Sequence, residues 1–218
     1  MSINLGLEWW REAKFGLFIH WGLYALLAGE YRGQRTHNIA EWIMHDLRIS
    51  PAEYEQLAAR FNPADFDADA IAALAAHAGM RYVVLTAKHH DGFAMYHSRA
   101  NPYNVVDATP FGRDVAQELR RACDRHGLRL CFYYSQAQDW HHPGGIEQYV
   151  SDPNPGFDDY LARKCIPQLE ELLTNYGDLG LIWFDTPMSM TREQSRLLRD
   201  LVKQRQPRCL VSGRIGHG

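Results

Sequence analysis

The chain has 218 residues, a length that fits one domain or part of a larger one. Hydrophobic residues make up 46% of it and charged residues 22%, the proportions of a globular protein with a sizeable core. The net charge of −3 and the pI of about 6.4 give no reason to expect nucleic acid or an anionic membrane as a partner.

The first residues of the chain contain neither the basic segment nor the apolar segment of a signal peptide. No apolar run is long enough to cross a bilayer. The four cysteines are far apart and form no CxxC pair, which indicates buried free thiols in a reducing compartment. We therefore expect a cytoplasmic protein.

Taken in order, the chain alternates short apolar runs, typical of buried strands, with amphipathic patterns typical of helices. The first strand ends in His20, and a long aromatic-rich loop with one short helix follows it over residues 23–49. Strands are predicted at residues 15–20, 81–88, 128–135, 179–185 and 209–213, and helices at residues 39–45, 51–60, 67–78, 114–126, 157–176 and 191–206.

Local signals predict where several helices begin and end. Ser50 with Glu53 and Thr191 with Gln194 have the spacing of capping boxes, in which two side chains satisfy free backbone amides at a helix start. Pro167 predicts a kink or a restart within residues 157–176, because proline cannot donate a helical hydrogen bond.

This order, with long polar loops after strands and short loops after helices, predicts a parallel α/β fold of the (β/α)8 TIM-barrel type. Only five strands are visible, whereas a closed barrel needs eight. We expect residues 1–218 to form an incomplete catalytic βα-barrel domain, truncated after about five strands, without the C-terminal strands or a β-sandwich domain.

Polar or aromatic side chains stand at the C-terminal end of every predicted strand, the edge where such barrels build their sites. Five coincident ends indicate a pocket rather than isolated structural side chains. The residues at these ends are His20, Trp21, His89, His90, Asp91, Tyr134, Ser135, Trp183, Asp185, Arg214 and His217.

Asp185 is the only charge in the apolar run from Leu179, and it ends that run. A single carboxylate among imidazoles, a guanidinium and indole faces suits a sugar site, because the nitrogens bind hydroxyls and tryptophan stacks on the ring. A retaining glycosidase needs such a carboxylate as nucleophile and a second one as acid/base.

A metal-dependent hydrolase is the alternative chemistry for a barrel of this type. The first strand lacks the paired histidines of that class, because Trp21 and Gly22 follow His20. His89 and His90 are adjacent, and in an extended segment their side chains are expected on opposite faces, where one ion cannot take both. We therefore expect no metal and no cofactor.

Five pieces of the chain, in order and at compatible spacing, resemble the α-L-fucosidases of glycoside hydrolase family 29. The combination of the first and third pieces is specific, and the resemblance covers nearly the whole chain. The pieces are Phe18-Ile19-His20-Trp21-Gly22, Glu41-Trp42, Lys88-His89-His90-Asp91-Gly92-Phe93, Tyr133-Tyr134-Ser135 and Ile182-Trp183-Phe184-Asp185.

The resemblance implies a retaining hydrolase that removes terminal α-L-fucose from fucosylated glycans or glycosides. It implies that Asp185 is the nucleophile and that Arg214 is an arginine near it. Asp91 is expected to brace the turn of the histidine pair rather than to react. Residues expected to contact the sugar are His20, Trp21, Glu41, Trp42, His89, His90, Tyr134, Trp183 and Arg214.

The chain departs from the family pattern at two places. Thr186 and Pro187 follow Asp185, where the family has Gly or Trp. The family's acid/base glutamate lies beyond the position of Arg214, and this sequence contains no Glu after Glu193. Glu41 is then either a ligand of a fucose hydroxyl, the interpretation we favour, or a substitute acid.

Two other functions remain open at this point. The chain is either an active fucosidase, a fucose-binding truncated barrel without turnover, or one part of a split or oligomeric enzyme. The last alternative follows from the open sheet edge, which a second copy or a complementing chain would cover. The expected partner is a fucosylated oligosaccharide or glycoconjugate, not nucleic acid or membrane.

Overall fold

The computed structural model of the chain describes residues 6–147 and 154–217. Its centre is a parallel sheet of five strands, in which spatial order follows chain order. The strands are β1 (Leu17–Ile19), β4 (Tyr82–Lys88), β5 (Arg129–Ser135), β6 (Leu181–Asp185) and β7 (Leu210–Val211), and an antiparallel hairpin is formed by β2 (Glu30–Tyr31) and β3 (Gln34–Arg35). All five predicted strands are confirmed.

Helices connect successive strands of the sheet, so the architecture is α/β and matches part of a TIM barrel. None of the helices in the described ranges is long and apolar enough to cross a lipid bilayer. The helices are α1 (Leu7–Ala13), α2 (Ile43–Asp46), α3 (Pro51–Tyr54), α4 (Ala68–His77), α5 (Val115–Arg125), α6 (Phe157–Tyr160), α7 (Ile166–Asn175) and α8 (Arg192–Arg205).

Two elements were not predicted: helix α1 and the hairpin of β2 with β3. Helix α1 has seven residues and each strand of the hairpin has two, so neither is long enough to show a period in the sequence. Helix α1 lies in the segment before the first predicted strand, and the hairpin lies in the predicted loop over residues 23–49. Residues 148–153, part of the predicted polar loop after β5, lie outside the described residues.

The two faces of the sheet contact different surroundings. One face packs against the helices in the main core, with Leu85, Leu130 and Phe132 among its buried residues. The other face is the inner face of the barrel. Its side chains are Val84, Cys131, Tyr133, Leu181 and Leu210, with Trp9, Trp10, Phe18, Tyr82 and Trp183 packed against them.

Helix α1 closes the N-terminal end of this inner face. Trp9 packs edge-on to Tyr82, with ring centroids 6.0 Å apart. Gly180, which precedes β6, permits this contact, since a Cβ atom there would lie 2.9 Å from the Trp9 ring. The indoles of α1 therefore fill the bottom of the barrel and leave the C-terminal edge for a site.

The predicted capping box at Thr191 is confirmed, because its side chain accepts from the Gln194 amide and the Gln194 side chain accepts from the Thr191 amide. The capping box predicted at Ser50 is wrong. The Ser50 side chain makes no capping bond, and the Glu53 carboxylate accepts instead from the Tyr31 hydroxyl at 2.6 Å. The Glu53 side chain is thus engaged with Tyr31 of the hairpin and does not cap the start of α3.

A π-helical turn, Leu161–Cys165, joins α6 to α7. Pro167 is the second residue of α7 and lies in its first turn. Because proline has no amide hydrogen to donate, the helix cannot pass through this position with regular hydrogen bonds. Of the two predicted outcomes at Pro167, a kink or a restart, the structure shows the restart: α7 begins at Ile166, directly after the widened turn.

Candidate active site

The C-terminal ends of four strands converge on the inner face of the sheet. His20 follows β1, His89 follows β4, Tyr133 lies on β5 and Trp183 lies on β6. The rings of His89 and Tyr133 are stacked at 5.1 Å, and His20 lies 5.9 Å from His89 and 6.1 Å from Tyr133. The histidines and the tryptophan that were predicted at the strand ends therefore lie on one face of the sheet.

Asp185 ends β6, and three donors hold its carboxylate. The Tyr133 hydroxyl donates to Oδ2 at 2.9 Å, the Thr186 amide donates to Oδ1 at 2.9 Å, and Nε of Arg214 also donates to Oδ1. The Asp185 side chain is 17% exposed, so it is accessible from the pocket while its orientation is constrained. Such an arrangement suits a carboxylate that must attack from one direction.

Gln136 fixes the backbone on both sides of this carboxylate. Its Oε1 accepts from the Asp185 amide at 2.9 Å, and its Nε2 donates to the Arg214 carbonyl at 3.1 Å. The side chain is fully buried. Gln136 was not predicted as a site residue, because a glutamine one position beyond a strand carries no sequence signal for such a bridge.

His89 and His90 are both buried, with ring centroids 4.2 Å apart. Burial, followed by the proximity of His20 and Lys88, lowers the pKa of His89 to about 3. Burial also holds the pKa of His90 well below its ordinary value. Both imidazoles are therefore neutral at physiological pH, and a neutral imidazole has one donor and one acceptor for sugar hydroxyls.

A hydrogen-bond chain selects the tautomer of His90. The Ser135 hydroxyl donates its proton to the Gln138 carbonyl at 2.8 Å, so it must accept from His90 Nδ1, which lies 2.7 Å away. His90 Nε2 is then the acceptor of a neutral ring. The prediction that His89 and His90 point to opposite faces is wrong, because β4 ends at Lys88 and a turn follows.

Two tryptophans form an aromatic wall beside His90. Trp42 lies 5.2 Å from the His90 ring and 5.3 Å from Trp140, and Trp140 lies 5.2 Å from His90. The Trp140 amide also donates to the His90 carbonyl at 2.7 Å. Trp42 was predicted from the sequence as a site residue, whereas Trp140 was not.

A family model described as Alpha-L-fucosidase matches residues 4–218 of the chain. The chain belongs to the α-L-fucosidase family. Among curated relatives, it is 29% identical over 195 residues to an α-L-fucosidase of Dictyostelium discoideum and 33% identical over 192 residues to the tissue α-L-fucosidase of Macaca fascicularis. These matches cover 81% and 82% of this chain but 41% and 38% of the relatives. The chain thus spans about two fifths of their length.

Solved α-L-fucosidase structures share the fold. The enzyme AlfC from Lactobacillus casei, in complex with α-L-fucose product, is 46% identical with a TM-score of 0.91, over 98% of this chain and 70% of that one. The α-L-fucosidase from Vibrio sp. strain EJY3 is 42% identical with a TM-score of 0.89, over 96% of this chain and 38% of that one.

Tyr134 and Trp21 were predicted to contact the sugar, and the structure places both outside the pocket at the C-terminal edge of the sheet. Tyr134 is fully buried on the helix side of β5, where its hydroxyl donates to Gln168 Oε1 at 2.8 Å. The Trp21 ring packs between Phe66 and Phe61, at 5.0 and 5.5 Å. Both errors have one cause, since adjacent residues of an extended chain point in opposite directions.

Tyr133 takes the position that the sequence analysis assigned to Tyr134. It pairs with Trp183 across the sheet, and both lie on the inner face. Burial, and then the charge of Asp185, raises the pKa of Tyr133, so its hydroxyl keeps the proton that it donates to the carboxylate. The alternation Cys131, Tyr133, Ser135 was the available signal, but β5 is apolar on both faces and hides it.

Glu41 lies in a 3₁₀ turn, Ala40–Trp42, directly beside the aromatic wall. Its charge acts on Tyr24, whose pKa is raised by burial and then by the charges of Asp91 and Glu41. Tyr24 in turn packs 5.7 Å from His89. Glu41 therefore stands on the histidine side of the pocket.

Asp91 braces the turn that carries the histidine pair, as predicted. It is buried, and it accepts from the Tyr54 hydroxyl at 3.1 Å and from the Phe93 amide at 3.2 Å. Burial raises its pKa to about 6. Within residues 6–147 and 154–217, no group of three or more His, Cys, Asp or Glu side chains is arranged to hold a metal ion.

Proposed function

We propose that this chain is the part of a retaining α-L-fucosidase that binds terminal fucose and supplies the nucleophile. The observation that carries the proposal is the Asp185 carboxylate, held by Tyr133, Thr186 and Arg214 beside two buried neutral histidines. Its support from relatives is the AlfC structure described with α-L-fucose product, which shares 46% of its residues with the chain.

In the first step of the proposed reaction, an Asp185 oxygen forms a bond to the anomeric carbon of the fucose. The bond from that carbon to the leaving oxygen breaks, and the leaving group departs with a proton from a general acid or from water. In the second step water attacks the same carbon, gives up a proton, and releases the carboxylate. Two displacements at one carbon retain its configuration.

The remaining pocket residues are assigned to binding. His20, His89 and His90 offer nitrogens to sugar hydroxyls, and Trp183 offers an indole face. We assign Glu41 to a fucose hydroxyl rather than to the proton transfer. The fucosylated partner, whether glycan or glycoside, is the substrate class that this pocket fits.

A second candidate function is fucose binding without turnover. Asp91 and Asp139, two further carboxylates near this edge, are committed to buried hydrogen bonds and ion pairs. Neither is then available as the second carboxylate of a retaining mechanism. This leaves Glu41 as the acid candidate on the histidine side, or leaves the chain able to bind but not to turn over natural substrates.

The test is covalent trapping with 2-deoxy-2-fluoro-α-L-fucosyl fluoride, whose fluoride leaves without an acid. We expect mass spectrometry to find the fluorofucosyl group on Asp185, and no label on Asp185→Gly. Asp178→Gly is the matched control, since Asp178 is exposed and precedes the opposite end of β6. Added azide should restore cleavage of an aryl fucoside by Asp185→Gly, giving the β-fucosyl azide.

Two results would decide against this assignment. A label on any other residue would remove Asp185 as the nucleophile, and inversion in the first product would remove the retaining mechanism. Calorimetric binding of L-fucose, against a mannose control, without labelling of Asp185 would support the second candidate.

A further inference from the structure

A cluster of three buried charges lies behind the histidine pair, on the helix side of the sheet. Asp139 Oδ2 lies 3.1 Å from Lys88 Nζ and 2.7 Å from Lys164 Nζ. All three side chains are at most 2% exposed. Two ammonium groups therefore share one carboxylate in the core, and this Lys–Asp–Lys cluster takes no part in the proposed chemistry.

The cluster joins the two loops that carry the histidine pair and Trp140. Lys164 Nζ donates to the Gly92 carbonyl at 3.3 Å, in the loop after β4. Asp139 Oδ1 accepts from the His142 amide at 3.0 Å, in the loop after β5. The loops also approach closely at Gly92, where a Cβ atom would lie 2.3 Å from Asp139 Oδ1.

The helical side of the cluster depends on the π-helical turn. Lys164 reaches the cluster from within this turn, and Tyr160 reaches it from the end of α6, where its hydroxyl accepts from Lys88 Nζ at 2.8 Å. Single turns of π-helix are rare in proteins, and those that occur are often found at functional sites. Here it places Lys164 where it reaches both Asp139 and the carbonyl of Gly92.

Burial of these charges is costly, and apolar side chains of similar size would commonly be as stable or more stable. The cluster also has one positive charge more than it has negative charges. Lys88 contributes, after burial and the neighbouring histidines, to the lowered pKa values of His89 and His90. The titratable side chains that face the cluster from the surrounding elements include Asp91, Tyr134, His142, Tyr160 and Cys165.

We propose that Lys88, Asp139 and Lys164 are positioning residues that clamp the loop at residues 89–93 to the loop at residues 136–142. The clamp fixes His90 and Trp140, which meet through the 2.7 Å hydrogen bond from the Trp140 amide to the His90 carbonyl. Its effect on sugar binding rests on the proposed function, whereas its effect on the histidine geometry does not.

The test variant is Lys164→Met, which removes one ammonium and leaves the Lys88–Asp139 pair neutral overall. Lys14→Met is the matched control, because Lys14 is exposed at the end of α1. We expect Lys164→Met to melt cooperatively, to bind L-fucose about tenfold more weakly in calorimetry, and to shift the imidazole nitrogen resonances of His90 in NMR spectra. Lys14→Met should change neither readout.

Unchanged fucose affinity and unchanged His90 resonances in a folded Lys164→Met would overturn the positioning role. If Lys164→Met does not fold, Lys88→Met supplies the same test from the other ammonium. Failure of both to fold would assign the cluster to global stability and overturn the proposal. Shifted His90 resonances in a protein that never binds fucose would support the clamp and count against the proposed function.

Discussion

The exchange of roles between Tyr133 and Tyr134 gives the sharpest prediction, because two neighbouring Tyr→Phe variants should have opposite effects. The Tyr133 hydroxyl donates to Asp185 Oδ2 at 2.9 Å, and the Tyr134 hydroxyl donates to Gln168 Oε1 at 2.8 Å. Both variants make the same chemical change, the loss of one phenolic hydroxyl. Only the first bond is made to the proposed nucleophile.

Tyr133→Phe should slow the second step of the reaction, in which Asp185 leaves the sugar and regains its charge. A hydrogen bond to a charged group is worth about 1.5–3 kcal/mol. If roughly half the charge has returned in the transition state, about 0.8–1.5 kcal/mol is lost, which is about a four- to twelvefold fall in kcat. Arg214 and the Thr186 amide still hold the carboxylate, so stability should change little.

Tyr134→Phe should leave kcat unchanged and should lower the free energy of unfolding by about 1–3 kcal/mol, because it leaves a buried acceptor of Gln168 unsatisfied. The assays are hydrolysis of an aryl α-L-fucoside, with an initial burst marking accumulation of the intermediate, and urea denaturation. A rate loss in folded Tyr134→Phe, with full activity in Tyr133→Phe, would refute the assignment.

Three further predictions follow from the same structure. Glu41→Gln should weaken binding of an aryl fucoside and a fucosyl disaccharide about equally, by about tenfold, because we assign its carboxylate to a sugar hydroxyl; loss of disaccharide activity alone, together with the alkaline limb of the pH–rate profile, would make Glu41 the acid. Thr186→Gly should raise the free energy of unfolding by about 0.5–1 kcal/mol, since Thr186 has φ of 45° and a buried hydroxyl without a partner among the described residues; a lower denaturation midpoint would contradict this. Acidification from about pH 6 to 4 should destabilise the fold by about 1.4 kcal/mol per pH unit. The unfolded chain binds two protons, on His89 and His90, that the folded chain excludes, and the folded chain binds one that the unfolded chain lacks, on Asp91, whose pKa is raised to about 6. The unfolded chain therefore binds about one proton more than the folded chain in this range. Urea denaturation at several pH values measures this slope, and a flat or inverted slope would count against buried neutral imidazoles.

The order of strands and helices could be predicted from the sequence because it depends on local patterns. The apolar run before Asp185, the capping box at Thr191 and the break at Pro167 each act within a few residues. The positions of Asp185 and the histidine pair at one sheet edge followed from that order, since parallel strands end at the same edge. The order of the elements and the edge that carries the site could therefore be predicted without knowledge of any tertiary contact.

The orientation of individual side chains was decided only by the tertiary structure. Strand β5 is buried on both faces, so Tyr133 and Tyr134 have equivalent sequence surroundings, and the two differ only in what packs against each face. The histidine pair shares one pocket because β4 ends at Lys88 and the buried charges of Asp139 and its lysine partners hold the turn that follows. The Lys88–Asp139 contact joins residues 51 positions apart, and no local period in a sequence encodes it.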